Sequence, residues 1–254
     1  MSDLREPIDL PSPNHDARPD GVTIDMLVLH YTGMRTGAEA LARLRDPAAK
    51  VSSHYVVEED GRVFALVPET RRAWHAGLSW WRGHAGLNDR SIGIEIVNPG
   101  HEWGYRDFAE AQIDALIPLC RAILSRHPIP PRNVVAHSDV APARKQDPGE
   151  RFPWARLAAA GIGLWPGEAP AAVDEVPPIA PGERGDGVRA LRATLRRIGY
   201  QLAPDGPADA ALATVLAAFQ RHWAPHRTDG VADGRTRWAA GRVAAMAEGR
   251  IGGT

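Results

Sequence analysis

A single cysteine, Cys120, in 254 residues excludes an internal disulfide framework. It lies in Ile117-Pro-Leu-Cys-Arg-Ala-Ile-Leu and reads as a small core residue rather than a nucleophile. No charge of one sign dominates. Thirty basic residues stand against thirty-one acidic ones, which leaves no basic stripe for nucleic acid. No apolar run approaches the ~20 residues that a membrane span needs. The segment Met1-Ser-Asp-Leu-Arg-Glu-Pro-Ile-Asp-Leu lacks the basic start and apolar centre of a signal peptide, and there is no lipobox cysteine, so the expected location is cytoplasmic.

What is present divides the chain into four parts. Residues 1–20, with Pro11-Ser-Pro-Asn-His-Asp, read as an extended arm. Over 21–165, short strands at 24–30, 54–58, 62–67, 91–97 and 133–137 alternate with helical stretches. The clearest helix runs from about Phe108 to Arg126, with Leu116, Leu119, Cys120, Ile123 and Leu124 on one face. Mixed strands and helices predict an α/β domain with a central mixed sheet. Residues 166–185 are rich in proline and alanine and read as a linker. From 186 to 254, Val188, Leu191, Leu195 and Ile198 recur at helical spacing. Leu212, Val215, Leu216 and Phe219 mark a second helix face, and a third helix is expected after Asp233, giving a small all-α domain.

Three residues carry the strongest chemical signal. His30 closes the apolar run Ile24-Asp-Met-Leu-Val-Leu-His, His137 closes Asn133-Val-Val-Ala-His, and Asp147 follows in a turn-rich segment. Two imidazoles and a carboxylate form the ligand set of a catalytic zinc site with a fourth position open. A histidine after an apolar run also reads as a hydrogen-bonded rim residue, and spacing alone leaves both readings open. Glu95, in Ser91-Ile-Gly-Ile-Glu-Ile-Val, alternates like the solvent face of a strand, and Lys145 in Arg-Lys-Gln-Asp reads as a surface charge. His54 reads as structural. His15, His84, His101, His127, His222 and His226 have no motif around them and read as surface residues. Four of the eight tryptophans lie between Trp74 and Trp103, where flat indole faces suit sugar rings or ordinary packing; Trp80 and Trp81 read as part of a loop.

Six segments in register resemble the zinc-dependent N-acetylmuramoyl-L-alanine amidases of the AmpD type, shared with phage lysozyme-type amidases and peptidoglycan recognition proteins. They are Leu27-Val-Leu-His-Tyr-Thr, Val51-Ser-Ser-His-Tyr-Val-Val, Ala73-Trp-His-Ala-Gly, Asn88-Asp-Arg-Ser-Ile-Gly-Ile-Glu-Ile, Val135-Ala-His-Ser-Asp and Arg144-Lys-Gln-Asp-Pro-Gly. The resemblance implies His30, His137 and Asp147 as ligands of Zn2+, Glu95 as the catalytic carboxylate and Lys145 as the catalytic lysine. It places His75 and Asn88 on cleft positions suited to substrate contact, and Trp74 and Trp80 are added as candidate substrate-binding rings. The implied reaction is hydrolysis of the amide between N-acetylmuramic acid, in its 1,6-anhydro form, and L-alanine of the stem peptide, during peptidoglycan recycling. The partner is then a muropeptide. Alternatives are an amidase acting on intact peptidoglycan in the periplasm, or a noncatalytic muropeptide-recognition protein, which commonly lacks a ligand; here every ligand position is filled.

The C-terminal segments Asp186-Gly-Val-Arg-Ala-Leu-Arg-Ala-Thr-Leu-Arg-Arg-Ile-Gly-Tyr, Ala218-Phe-Gln-Arg-His and Asp229-Gly-Val-Ala-Asp-Gly-Arg-Thr-Arg resemble three-helix peptidoglycan-binding domains. Arg192 replaces the usual glutamine and Trp223-Ala-Pro-His-Arg-Thr lengthens a loop. A helical lid or dimer contact that retains the fold without the ligand is the alternative reading of this unit.

Overall fold

The computed structural model describes residues 6–251. Its ten strands are β1 (Ile8–Asp9), β2 (His15–Ala17), β3 (Met26–Tyr31), β4 (Tyr55–Val57), β5 (Val63–Ala65), β6 (Arg71–Ala73), β7 (Trp80–Trp81), β8 (His84–Ala85), β9 (Ser91–Ile96) and β10 (Val134–Ala136). The α-helices are α1 (Gly37–Arg45), α2 (Gly100–Trp103), α3 (Glu110–Arg126), α4 (His137–Val140), α5 (Trp154–Ala159), α6 (Asp186–Ile198), α7 (Ala210–Trp223) and α8 (Gly234–Ala247). Six strands form one mixed sheet in the order β1-β5-β4-β9-β3-β10, antiparallel only between β4 and β5.

Strands β3 and β9, both interior to the sheet, are buried on both faces, and the alternation of side chains decides what each face meets. Leu27 and Leu29 of β3, with Ile92, Ile94 and Ile96 of β9, pack against Ile113, Leu116, Cys120 and Ile123 of α3. Met26 and Val28 point the other way, into a second core that holds Val188, Leu195, Leu216 and Phe219 of the C-terminal helices. Helix α3 therefore covers one face of the sheet, and helices α6 to α8 cover part of the other.

That shared core changes the meaning of the C-terminal unit. Helices α7 and α8 have side-chain N-caps from Asp209 and Asp233, but α6, α7 and α8 do not close a core of their own. Val135, Val140, Trp81 and Leu87 of the α/β part complete it. The proline-rich segment before them contains a 3-10 turn at Ala171–Glu175, against which α8 packs, so it is laid along the surface rather than free.

Two other stretches differ from their sequence reading. The described part of the N-terminal arm is stitched down, residues 1–5 lying outside the described residues: β1 extends the sheet beside β5, β2 pairs with β6, and Arg18 donates to the carbonyls of Glu69, Asn88, Asp89 and Ser91. Trp80 and Trp81 form a short hairpin strand with β8 instead of a loop, and Trp81 is buried edge-on against Tyr200. Among the described residues, no helix is long and apolar enough to cross a membrane.

Candidate metal centre and active site

Polar residues occupy the carboxyl ends of the central strands on the face away from α3. His30 is opposite Glu95 in the β3–β9 register, and β10 sets Ala136 opposite Leu29, which brings His137 beside His30. A crevice at the carboxyl ends of parallel strands is where such sheets bind ligands. Asp147 arrives on the turn after α4, held by a hydrogen bond from the Ser138 N–H to its carbonyl.

His30, His137 and Asp147 converge and are 1%, 3% and 5% exposed. His30 Nδ1 lies 2.9 Å from His137 Nδ1, and each nitrogen lies 3.0 Å from Asp147 Oδ2. The surrounding bonds say which atoms carry protons. The Ser91 hydroxyl donates to the Leu87 carbonyl at 2.7 Å, so it can only accept from His75 Nε2–H at 3.0 Å. Neutral His75 then accepts at Nδ1 from His30 Nε2–H, also at 3.0 Å. His137 Nε2–H donates to the Ala76 carbonyl at 3.1 Å. Both Nδ1 atoms are left as bare lone pairs facing a carboxylate oxygen.

Three acceptors about 3 Å apart without a proton among them repel one another, and a cation removes the repulsion. Bonds of ~2.0–2.1 Å in a tetrahedral zinc site would set ligand atoms ~3.3 Å apart, close to the spacing seen. Burial, reinforced by His137, pushes the His30 imidazole down to about 4, so it is neutral near pH 7, as a ligand must be. Burial would raise the Asp147 carboxyl, yet His137 and His30 hold it below the ordinary carboxylate range. The residues fit a zinc ion.

The centre opens into a cleft of about 410 Å³ whose walls include Tyr31, Trp74, His101, Arg144 and Lys145. Glu95 lines it as well, and its Oε2 is buried with no hydrogen-bond partner. Burial and then the Asp147 charge push the Glu95 carboxyl well up, with Lys145 pulling the other way. The alternation in β9 that suggests a solvent face is real, but the face belongs to the cleft.

Of the expected substrate contacts, Trp74 and His75 line the cleft. His75 is turned inward. Both its ring nitrogens are engaged, by His30 and by Ser91, so it also orients His30. Asn88 braces a turn: its Oδ1 accepts from the His75 and Ala76 backbone N–H groups, away from the cleft wall. Trp80 sits on the β7–β8 hairpin, outside the cleft lining.

His54 is structural: its Nδ1 accepts from the Gly93 N–H and its Nε2–H donates to the Arg71 carbonyl. His222 is not a surface residue but fully buried, because α7 folds against α4. Sequence reading missed His101, which stacks on Tyr105 and bonds Tyr31 and Glu150 at the cleft mouth. It also missed Arg144, which holds the Ala76 and Leu78 carbonyls. One signal was available for His75: a glycine within a strand marks close approach of another group. A Cβ at Gly93 would stand 2.4 Å from the His75 ring.

The fold and the site together define a mixed α/β protein with a buried His-His-Asp cluster, able to hold a metal ion, at the carboxyl edge of its sheet. Residues 20–150 match the N-acetylmuramoyl-L-alanine amidase family, and residues 184–239 match the peptidoglycan binding domain family. The chain belongs to the N-acetylmuramoyl-L-alanine amidase family and is an enzyme of that class. It is 43% identical over 227 residues to the N-acetylmuramoyl-L-alanine amidase AmiD of Escherichia coli (strain K12), covering 84% of this chain and 80% of that protein. The structure of E. coli AmiD with the substrate anhydro-N-acetylmuramic acid-L-Ala-D-gamma-Glu-L-Lys is similar at TM-score 0.72 and 40% identity, over 88% of this chain and 90% of that one. AmpDh3 from Pseudomonas aeruginosa, in complex with anhydromuramic pentapeptide, gives TM-score 0.72 and 34% identity over 91% and 96%.

Proposed function

We propose that this protein is a zinc-dependent amidase that cleaves the bond between 1,6-anhydro-N-acetylmuramic acid and L-alanine of the stem peptide, in the recycling of peptidoglycan fragments. The observation that carries the reading is the convergence of three unprotonated donor atoms, His30 Nδ1, His137 Nδ1 and Asp147 Oδ2, at the floor of an open cleft. Solved relatives hold anhydromuramoyl peptides, which supports the choice of substrate.

When bound, zinc supplies Lewis acidity and lowers the pKa of a water to ~7. The remaining work falls to the chain's own groups. Glu95 takes the proton of the attacking water and returns it to the departing L-alanine nitrogen; a carboxyl pushed up by burial is suited to hold that proton between the two steps. Lys145, on the cleft wall two residues before a ligand, meets the negative charge that develops on the amide oxygen. The Trp74 ring offers a flat apolar face to sugar or peptide.

Product analysis by mass spectrometry tests the reading. Zinc-loaded protein, with and without chelator, is incubated with anhydromuramoyl-tripeptide and separately with intact sacculi. Free peptide from the first substrate, abolished by chelator, is the expected result. Release from sacculi alone would replace recycling by wall turnover, and no release despite bound substrate would leave a recognition protein.

A further inference from the structure

Helix α4 begins at the ligand His137 and is the point where the C-terminal helices meet the metal centre. Asp139, two residues past the ligand, is buried at 1% exposure. Its Oδ1 accepts from the Tyr200 hydroxyl at 2.5 Å, and its Oδ2 accepts from His222 Nδ1–H at 2.6 Å and from the Ala136 N–H at 2.8 Å. A buried carboxylate needs its lone pairs met. Among the described residues, the α/β part supplies one of these donors; the other two come from the helical unit.

The geometry around this carboxylate is rigid. The His222 ring is clamped between Trp154 and Trp223, with ring centroids 3.6 Å away on each side. Tyr200 is held edge-on by Trp81. On the other side, the bond that the Ala136 N–H donates to Asp139 fixes the strand-to-helix turn that presents His137. The next residue, Ser138, donates its N–H to the Asp147 carbonyl. Any shift of this turn therefore displaces two of the three ligands together.

We propose that the C-terminal helical unit is a positioning element of the metal centre: Tyr200 and His222 hold Asp139, and Asp139 holds the turn that carries His137 and is bonded to Asp147. The proposal rests on the reading of His30, His137 and Asp147 as a zinc site. It assigns to this unit a role inside the enzyme, separate from any contact with the cell wall.

The test is zinc affinity, measured by competition with a chelator, together with the visible spectrum of the cobalt-loaded protein. Tyr200→Phe removes one oxygen and keeps the ring packing. His222→Leu removes the donor, whereas His222→Asn keeps an N–H near the Nδ1 position, and both lose the aromatic clamp. Val243→Ala, in the same apolar core but remote from Asp139, controls for loss of stability. Groups behind metal ligands affect affinity by ~10–100-fold. Tyr200→Phe and His222→Leu are expected to weaken zinc binding by ~10-fold and to alter the cobalt spectrum. His222→Asn should stay near wild type, and Val243→Ala should lower Tm with zinc affinity unchanged. Unchanged affinity in Tyr200→Phe and His222→Leu, or an equal loss in Val243→Ala, would overturn the proposal. Wild-type protein that takes up no zinc would overturn the metal reading itself, and this inference with it.

Discussion

Ser91 decides which nitrogen of His30 faces His137 and Asp147, because its only proton is committed to the Leu87 carbonyl. Ser91→Ala would leave the buried His75 N–H unpaired, at a cost of ~1–3 kcal/mol, and free the ring to reverse its tautomer. Zinc affinity should fall ~10-fold, read by chelator competition; an unchanged affinity would show that His30 is oriented by something else. Glu95→Gln should keep full zinc binding and lose 10²–10⁴-fold in kcat, and a variant that retained turnover would remove Glu95 from the proton transfer. That His30 and His137 end strands was legible at this scale, but spacing left a rim reading open, and only the family resemblance joined them to Asp147, with which they converge. The inward roles of His75 and Asn88 were not legible: a residue name does not say toward which neighbour a side chain turns. Lys145 carried a faint extra mark, standing with Lys50 as the only lysines in an arginine-rich sequence.

Among elements, β3, β9 and α3 were readable because apolar period survives in their sequence, and the observed helix at Glu110–Arg126 begins within two residues of the expected start. Strands of two or three residues, such as β1, β2 and β6, hold too few side chains to show a period; pairing with neighbours creates them. Glu69 shows another tie invisible in sequence, joining the end of α3 to β4 through Arg126, His127 and Tyr55. Burial would raise its carboxyl, but these three partners outweigh burial and hold it at about 2. A carboxyl lowered from its ordinary 4.5 stabilises the fold above pH 4.5, and the contribution is lost as pH falls toward 2. Acid titration of Tm should therefore be steeper for wild type than for Glu69→Gln across that window, by ~1–2 kcal/mol after discounting for solvent screening. Parallel curves would remove Glu69 from the acid response.

The whole molecule is less divisible than its composition suggests. Residues 166–185 look like a boundary because proline and alanine interrupt the apolar period, yet a continuous core crosses from Met26, Val28 and Val135 to Leu195 and Phe219. Sequence pattern locates each apolar face but does not name its partner, so the face of the C-terminal helices turned toward the sheet could be recognised as apolar and no more. Calorimetry should show one unfolding transition for the full chain, and removal of residues 186–254 should yield a protein that fails to fold, with the Met26–Val28 face bared. Two resolved transitions, or a soluble folded truncation, would mean that the shared core contributes little.

The assignment of His30, His137 and Asp147 to one zinc site is decided by calorimetric titration of zinc into the metal-free full chain, beside Asp147→Ala. A single ion is expected per wild-type chain, with binding lost in the variant. Absence of binding in wild type, or equally tight binding without the Asp147 carboxylate, would contradict it.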